Sequence, residues 1–199
     1  MWVSKGRLRI LDFDLENRPL SYLGMDWTSA EVTAIAWAWI TDAPPNVETL
    51  LLLPDGRYAR NDAKPCSASE AFSTIRRYIE AADIVTGHYI RKHDLPLLHS
   101  AFMENGLAPF KSLLVQDTCK DLVQRKDFSA SQENLASMLG LDEAKHHMTQ
   151  TEWRQANRLT SHGIAAARKR VVDDVLQHIA LRAKLIERRL LKPPRAWTP

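Results

Sequence analysis

The sequence predicts a mixed α/β fold in which an antiparallel three-stranded meander is followed by strand-helix units, all in one mixed sheet with helices packed on it. Three observations carry this expectation. The first half holds apolar, alternating runs separated by turn-forming residues. From Asp83 onward, short apolar runs alternate with segments of helical spacing, and the C-terminal region carries one long apolar stripe at helical period.

Taken in order, Arg7 to Leu15 reads as the first strand, Glu31 to Ile40 as the second and Val47 to Leu53 as the third. Asp42-Ala43-Pro44-Pro45-Asn46 and Pro54-Asp55-Gly56 punctuate them, which favours antiparallel pairing. Ser67 to Ala82 has helical spacing at Ala71, Ile75, Tyr78 and Ile79, with Ser67 and Glu70 placed as a capping box. Asp83 to Ile90 reads as a strand, Leu95 to Asn105 as a helix closed by Gly106, Leu113 to Thr118 as a short strand, and Gln132 to Leu139 as a helix closed by Gly140. A last helix is expected over Ile164 to Leu190, with Val171, Val175, Ile179 and Ile186 on its apolar stripe, before Lys192-Pro193-Pro194-Arg195 forbids continuation. Between Asp142 and Gly163 the chain is polar and its periodicity is indistinct.

With 199 residues, 45% of them hydrophobic, the chain can bury a substantial core. No linker divides it, so residues 1–199 are expected to form a single domain that includes the C-terminal helix and tail, 164–199. No apolar run approaches membrane-spanning length, and the N-terminus lacks the apolar core of a signal peptide, so no membrane partner and a cytoplasmic location are expected. Cys66 and Cys119 lie far apart and fit no metal-binding spacing, which favours buried or incidental thiols. The net charge is +3, but residues 164–199 hold nine Lys or Arg against three acids and carry +6, leaving −3 on the rest. Such a basic segment beside an acidic site suits a polyanion held at one surface and processed at another, although a solvated helix face would look the same.

The chemistry starts at Leu11-Asp12-Phe13-Asp14-Leu15-Glu16. Alternate residues of a strand share a face, so Asp14 and Glu16 project together from the strand's end, with Asp12 behind them. Converging carboxylates repel unless a cation lies between them, and hard oxygen ligands favour Mg²⁺ or Mn²⁺. The spacing alone is weak, since chance supplies about one such pair in a chain of this length. Asp94, where a strand gives way to a helix, and Asp173 or Asp174 on the last helix provide further acids where a metal site would need them.

With these residues together, the chain resembles the DnaQ-like, or DEDD, 3′ to 5′ exonucleases of the ribonuclease H-like superfamily. Phe13-Asp14-Leu15-Glu16 matches the first motif, Gly87-His88 through His93-Asp94-Leu95-Pro96 is similar to the second, and Asp174-Val175 to the third. Val115-Gln116-Asp117-Thr118 and the segment Leu135 to Gly140 look like the family's intervening strand end and helix. The resemblance covers roughly residues 7 to 186. It implies a ribonuclease H-like fold and a site in which Asp14, Glu16, Asp94 and Asp174 hold two Mg²⁺ or Mn²⁺ ions about 4 Å apart. It further implies metal-dependent hydrolysis of nucleic-acid 3′ ends, single-stranded DNA first and RNA or short oligonucleotides next, with a replication or repair protein as a partner. Trp27, His88, Tyr89, Lys145 and Arg170 are the residues then expected to touch substrate.

The chain departs from the family where a Tyr four residues, or a His five residues, before the last Asp helps orient the attacking water. Those positions hold Arg170 and Lys169, and Arg cannot act as a base at neutral pH. His178, His162 and Lys169 are the candidate substitutes. Two other readings compete. A nucleic-acid-binding or polymerase-accessory module that has lost catalysis would explain the missing base but not the retained carboxylates. Asp12-Phe13-Asp14 also resembles the D-x-D of haloacid dehalogenase-type phosphatases, yet Glu16 stands where those prefer Thr or Val, and the other motifs would be unexplained. Trp37 and Trp39, on the second strand, are expected to pack in the core, and Asp117 to cap a strand end.

Overall fold

Alternating apolar residues draw the N-terminal half into antiparallel strands. The computed structural model describes residues 8–20, 30–41, 43–61, 63–123, 125–129, 131–141 and 147–199. In it β1 (Ile10–Pro19) pairs with β2 (Ala30–Trp39), β2 with β3 (Glu48–Leu52), and β3 with β4 (Tyr58–Arg60), all antiparallel. On the other edge of β1, β5 (Ile84–Gly87) and then β6 (Leu113–Asp117) add in parallel, and β7 (Arg195–Trp197) closes the sheet antiparallel to β6. The order is β4-β3-β2-β1-β5-β6-β7.

Helices cover both faces. The capping box at Ser67 and Glu70 opens α1 (Ala68–Ala81) as expected. Between the parallel strands β5 and β6 runs α2 (Asp94–Glu104), the crossover that parallel pairing requires. It is followed by α3 (Gln132–Met138), α4 (Gln150–Asn157) and α5 (Ser161–Glu187). Gly106 and Gly140 adopt the left-handed backbone just past α2 and α3, the conformation for which a residue without Cβ is best suited. Among the described residues, no helix is long and apolar enough to cross a membrane.

The two faces of β1 differ in chemistry, and this places the site. Leu11, Phe13 and Leu15 join a core with Trp37, Ile75, Ile79 and Leu98, where Trp37 packs against Tyr78 with ring centroids 5.2 Å apart. The other face of the sheet offers Ala34, Ala36 and Ala38 from β2, and these small side chains let α5 lie across the strands through Ala166, Ala167, Val171 and Val175. As a result, the acidic face of β1 (Asp12, Asp14 and Glu16) lies beneath α5 rather than facing open solvent.

Gly87 ends β5 where the sheet meets the next loop. A Cβ there would stand 2.2 Å from Ile90 Cγ2 and 2.8 Å from the Phe13 carbonyl oxygen, so no side chain fits without moving β1 or the loop. Gly87→Ala is expected to lower stability by about 1–3 kcal/mol, as measured by urea unfolding.

Candidate functional site

β1 and α5 bring three carboxylates together. One oxygen from each of Asp14, Glu16 and Asp174 lies within 4.8 Å of the others, with Asp174 buried and the other two half-buried. Three anionic oxygens at this separation form a hard donor set suited to a divalent ion, and Asp174, rather than its neighbour, belongs to it. Asp173 instead takes an ion pair with Lys169, whose Nζ lies 2.6 Å from Asp173 Oδ2.

Asp94 borders the same cavity, about 330 Å³ in volume, but lies outside the close set. Its position on the first turn of α2 buries it against β1, where Oδ1 accepts the Leu15 backbone N–H at 3.2 Å. His93 Nδ1 lies 3.5 Å from its other oxygen, and that hydrogen bond, opposed by burial and helped by the charges of Asp94 and Glu16, raises the imidazole pKa.

Arg170 is the cation on hand. One helical turn before Asp174, its Nε lies 3.0 Å from Asp174 Oδ2 and 3.2 Å from Glu16 Oε1, so the guanidinium links β1 to α5. It therefore places a positive charge against Glu16 and Asp174 of the three carboxylates. The guanidinium carbon also lies 5.9 Å from the centre of the Trp153 ring.

The three candidate bases fall elsewhere. Lys169 is exposed and paired with Asp173, and His162 is exposed at the start of α5. His178 follows Asp174 by one turn but sinks beneath the cavity floor, 2% exposed, with Nδ1 2.6 Å from Asp12 Oδ2 and Nε2 2.8 Å from Thr118 Oγ1. Among the described residues, none of these three lines the cavity. Asp12 is wholly buried, and burial pushes its carboxyl pKa up against the lowering pull of His178 and of Arg182.

His88 and Tyr89 do line it, on a loop held by Asp117. That buried carboxylate accepts backbone N–H bonds from Tyr89 at 3.0 Å, Arg91 at 3.1 Å, Cys119 at 2.9 Å and Lys120 at 3.0 Å. Four donors explain how Tyr89 is kept at φ 66°, a backbone region that non-glycine residues seldom occupy. The Tyr89 ring stays partly exposed with Lys120 Nζ 4.3 Å from its centre, an aromatic face and a cation together at the cavity edge.

Sequence reasoning missed several contributors. Ser131 and Gln132 at the start of α3 also line the cavity, and Gln132 Nε2 donates to the Asp174 carbonyl at 3.1 Å and to Gln177 Oε1 at 3.2 Å. The N-cap serine before a helix was the available signal for Ser131. Trp27 and Lys145, expected to touch substrate, lie outside the described residues.

No family model and no curated protein matches the sequence. Among solved structures, the chain is similar to the family B DNA polymerase from the hyperthermophilic archaeon Pyrobaculum calidifontis, with a TM-score of 0.57 and 16% identity over 91% of this chain and 25% of that one. It is also similar to E. coli Exonuclease I in complex with a dT13 oligonucleotide, with a TM-score of 0.56 and 14% identity over 92% of this chain and 42% of that one. The chain thus spans less than half of either structure, and at these identities the likeness is one of fold. The seven-stranded mixed sheet, its covering helices and these neighbours agree that the chain has a ribonuclease H-like α/β fold.

Proposed function

We propose that the cavity is the active site of a metal-dependent 3′ to 5′ exonuclease of the DnaQ-like type. The observation that carries this reading is the convergence of Asp14, Glu16 and Asp174 within 4.8 Å of one another, from a strand and a helix that the fold forces together. Three carboxylates so close are costly to hold without cations, and the Arg170 guanidinium offsets Glu16 and Asp174 with a single charge. Asp94 is the fourth acid on the cavity wall, giving a set sufficient for the two Mg²⁺ or Mn²⁺ ions that the resemblance implies.

A divalent ion bound there supplies charge neutralisation at a phosphodiester and a lowered pKa for bound water. The protein's own residues do the rest. Asp14, Glu16 and Asp174 hold the ion, and Asp94 fixes the floor of the cavity through Leu15. Tyr89 and Lys120 offer a stacking face and a cation for a terminal nucleotide. Arg170 supplies permanent positive charge near a scissile phosphate. Single-stranded DNA is the first substrate, in keeping with the oligonucleotide held by the Exonuclease I neighbour, and RNA or short oligonucleotides are next. Stepwise attack would release nucleoside monophosphates, and a replication or repair partner would supply processivity.

One observation favours a second reading. Arg170 already neutralises part of the cluster, as would be expected of a nucleic-acid-binding module that no longer needs metal. Incubating 5′-labelled single-stranded DNA and RNA with Mg²⁺ or Mn²⁺ separates the two. A ladder shortening from the 3′ end, absent with chelator and in Asp14→Ala and Asp174→Ala, supports the exonuclease. Tight binding with no ladder under either metal leaves the binding module.

Arg170 also predicts a measurable competition. Removing a guanidinium about 3 Å from two carboxylates takes away a charge that a divalent ion must offset on binding. Arg170→Ala is therefore expected to tighten Mn²⁺ binding about tenfold by calorimetry while lowering metal-free stability by about 1 kcal/mol.

A further inference from the structure

The basic segment that follows α5 is built onto the end of the sheet that carries the cavity. It enters β7 from that end, where Gly87 and Asp117 finish β5 and β6, and sets Arg195 opposite Val115. Before β7 it lies along the turn after β6. Val123 N–H donates to the Leu190 carbonyl at 2.9 Å, and Lys192 N–H to the Asp121 carbonyl at 2.8 Å. The Lys192 carbonyl accepts from Gln116 Nε2 at 2.8 Å. The same turn carries Lys120, whose ammonium stands 4.3 Å from the centre of the Tyr89 ring at the cavity edge. We propose that Lys120, Lys192 and Arg195 form a track for the phosphates of a single-stranded nucleic acid, running from the cavity edge to β7 and holding nucleotides upstream of the 3′ end. The inference rests on the exonuclease reading above for the direction of the strand.

Charge points to a polyanion. Residues 88–92, 117–123 and 189–197 come together here and hold six Lys or Arg against two acids, Asp117 and Asp121. Both acids are wholly buried, so these segments present only cations to solvent. Asp117 is occupied by backbone N–H groups of the Tyr89 loop, and Asp121 by the guanidiniums of Arg91 and Arg195, each at 2.7 Å. Arg91 also donates to the carbonyls of Val115 and Arg195.

A buried carboxylate that grips one arginine from the cavity loop and one from the tail fixes the tail beside the loop. Its cations are therefore held in place before any ligand arrives, which lowers the ordering cost of binding. Pro193 and Pro194 stiffen the stretch between Lys192 and Arg195. Despite its ion pair, the Arg195 side chain remains 57% exposed. An aromatic ring at the cavity edge with fixed cations beyond it can stack a base and follow the backbone attached to it.

Fluorescence anisotropy with 5′-fluorescein dT13 and dT2, in chelator so that no cleavage intervenes, tests the track. Wild type should bind dT13 at least about tenfold more tightly than dT2, because only the longer strand reaches the tail. In Lys192→Gln/Arg195→Gln, dT13 affinity should fall about tenfold, dT2 affinity should hold within about twofold, and the salt dependence should flatten by about 0.7 per lost phosphate contact. The single Lys192→Gln leaves the Asp121 ion pairs intact, so its flattening by about 0.7 decides the matter if the double variant loses its fold. Lys64→Gln/Arg77→Gln removes two exposed charges before and on α1, which packs on the sheet face opposite α5, and should leave dT13 binding within about twofold of wild type. Equal loss in that control, no gain from dT2 to dT13 in wild type, or an unaltered salt dependence in Lys192→Gln overturns the track. Length-dependent binding lost in the tail variants, from a wild type that cleaves nothing under Mg²⁺ or Mn²⁺, upholds the track as a binding surface and sinks the exonuclease reading instead.

Discussion

Asp14→Asn is expected to lower the rate of 3′ end cleavage by about a thousandfold and to abolish the metal-induced rise in melting temperature. It should do so with little loss of metal-free stability. Asp14 is half-buried among two other carboxylates, so replacing its charge by an isosteric amide removes repulsion while preserving shape. Functional sites commonly hold such destabilising like charges, and relieving them is often neutral or stabilising. Melting curves of wild type and variant, with and without Mn²⁺, check both halves. Wild type should gain several degrees and Asp14→Asn none. A variant that unfolds readily without metal would mean that Asp14 is a structural residue instead.

The opposite pattern is expected at Asp117. Asp117→Ala would take the buried carboxylate from the backbone N–H groups of Tyr89, Arg91 and Cys119, while the turn itself keeps the bonds of Lys120 N–H and Asp121 N–H to the Asp117 carbonyl at 3.1 and 2.8 Å and of Asp117 N–H to Asp121 Oδ2 at 2.9 Å. Each buried donor left unmade costs about 1–3 kcal/mol, so a loss of about 4 kcal/mol is expected by urea unfolding. The damage should be local before it is global. Hydrogen exchange at Tyr89 and Arg91 should accelerate most, because the left-handed backbone at Tyr89 is maintained by those bonds. Cleavage should fall as well, since the loop carrying His88 and Tyr89 would lose its position. Equal exchange at these amides in wild type and variant would contradict the role assigned to Asp117.

These two residues show what was legible in the sequence. Asp117 at a strand end reads as a cap, and the structure makes it one, but for a loop distant in sequence and not only for its own turn. The meander, the first helix with its capping box and the long last helix follow from periodicity and end signals. β4 and β7 do not, because three residues are too few to establish alternation. The helix α4 was legible in part, since Thr149 and Glu152 form a capping box that its polar surroundings hide.

At the site, the convergence of Asp14, Glu16 and Asp174 could be anticipated because strand alternation and motif order both point to it. The departure at Arg170 was visible as a residue type, but its bridging of Glu16 and Asp174 was not, since residues 154 positions apart carry no local signal of contact. The same reason hides the hydrogen bonds that His178 makes to Asp12 and Thr118. His178 shares the helix face of Asp174, which suggested a place in the cavity. The small residues of β2 let α5 approach closely enough to bury that imidazole beneath it instead.

The central claim is that Asp14, Glu16 and Asp174 form a metal centre and not merely a salt-bridged acidic cluster. Anomalous scattering from crystals grown with Mn²⁺ tests it most directly. The account predicts a strong anomalous peak within coordinating distance, about 2.0–2.4 Å, of oxygens from all three residues, with the Arg170 guanidinium moved off at least one of its carboxylates. Saturating Mn²⁺ with no peak at these oxygens, and Arg170 still bridging Glu16 and Asp174, would contradict it.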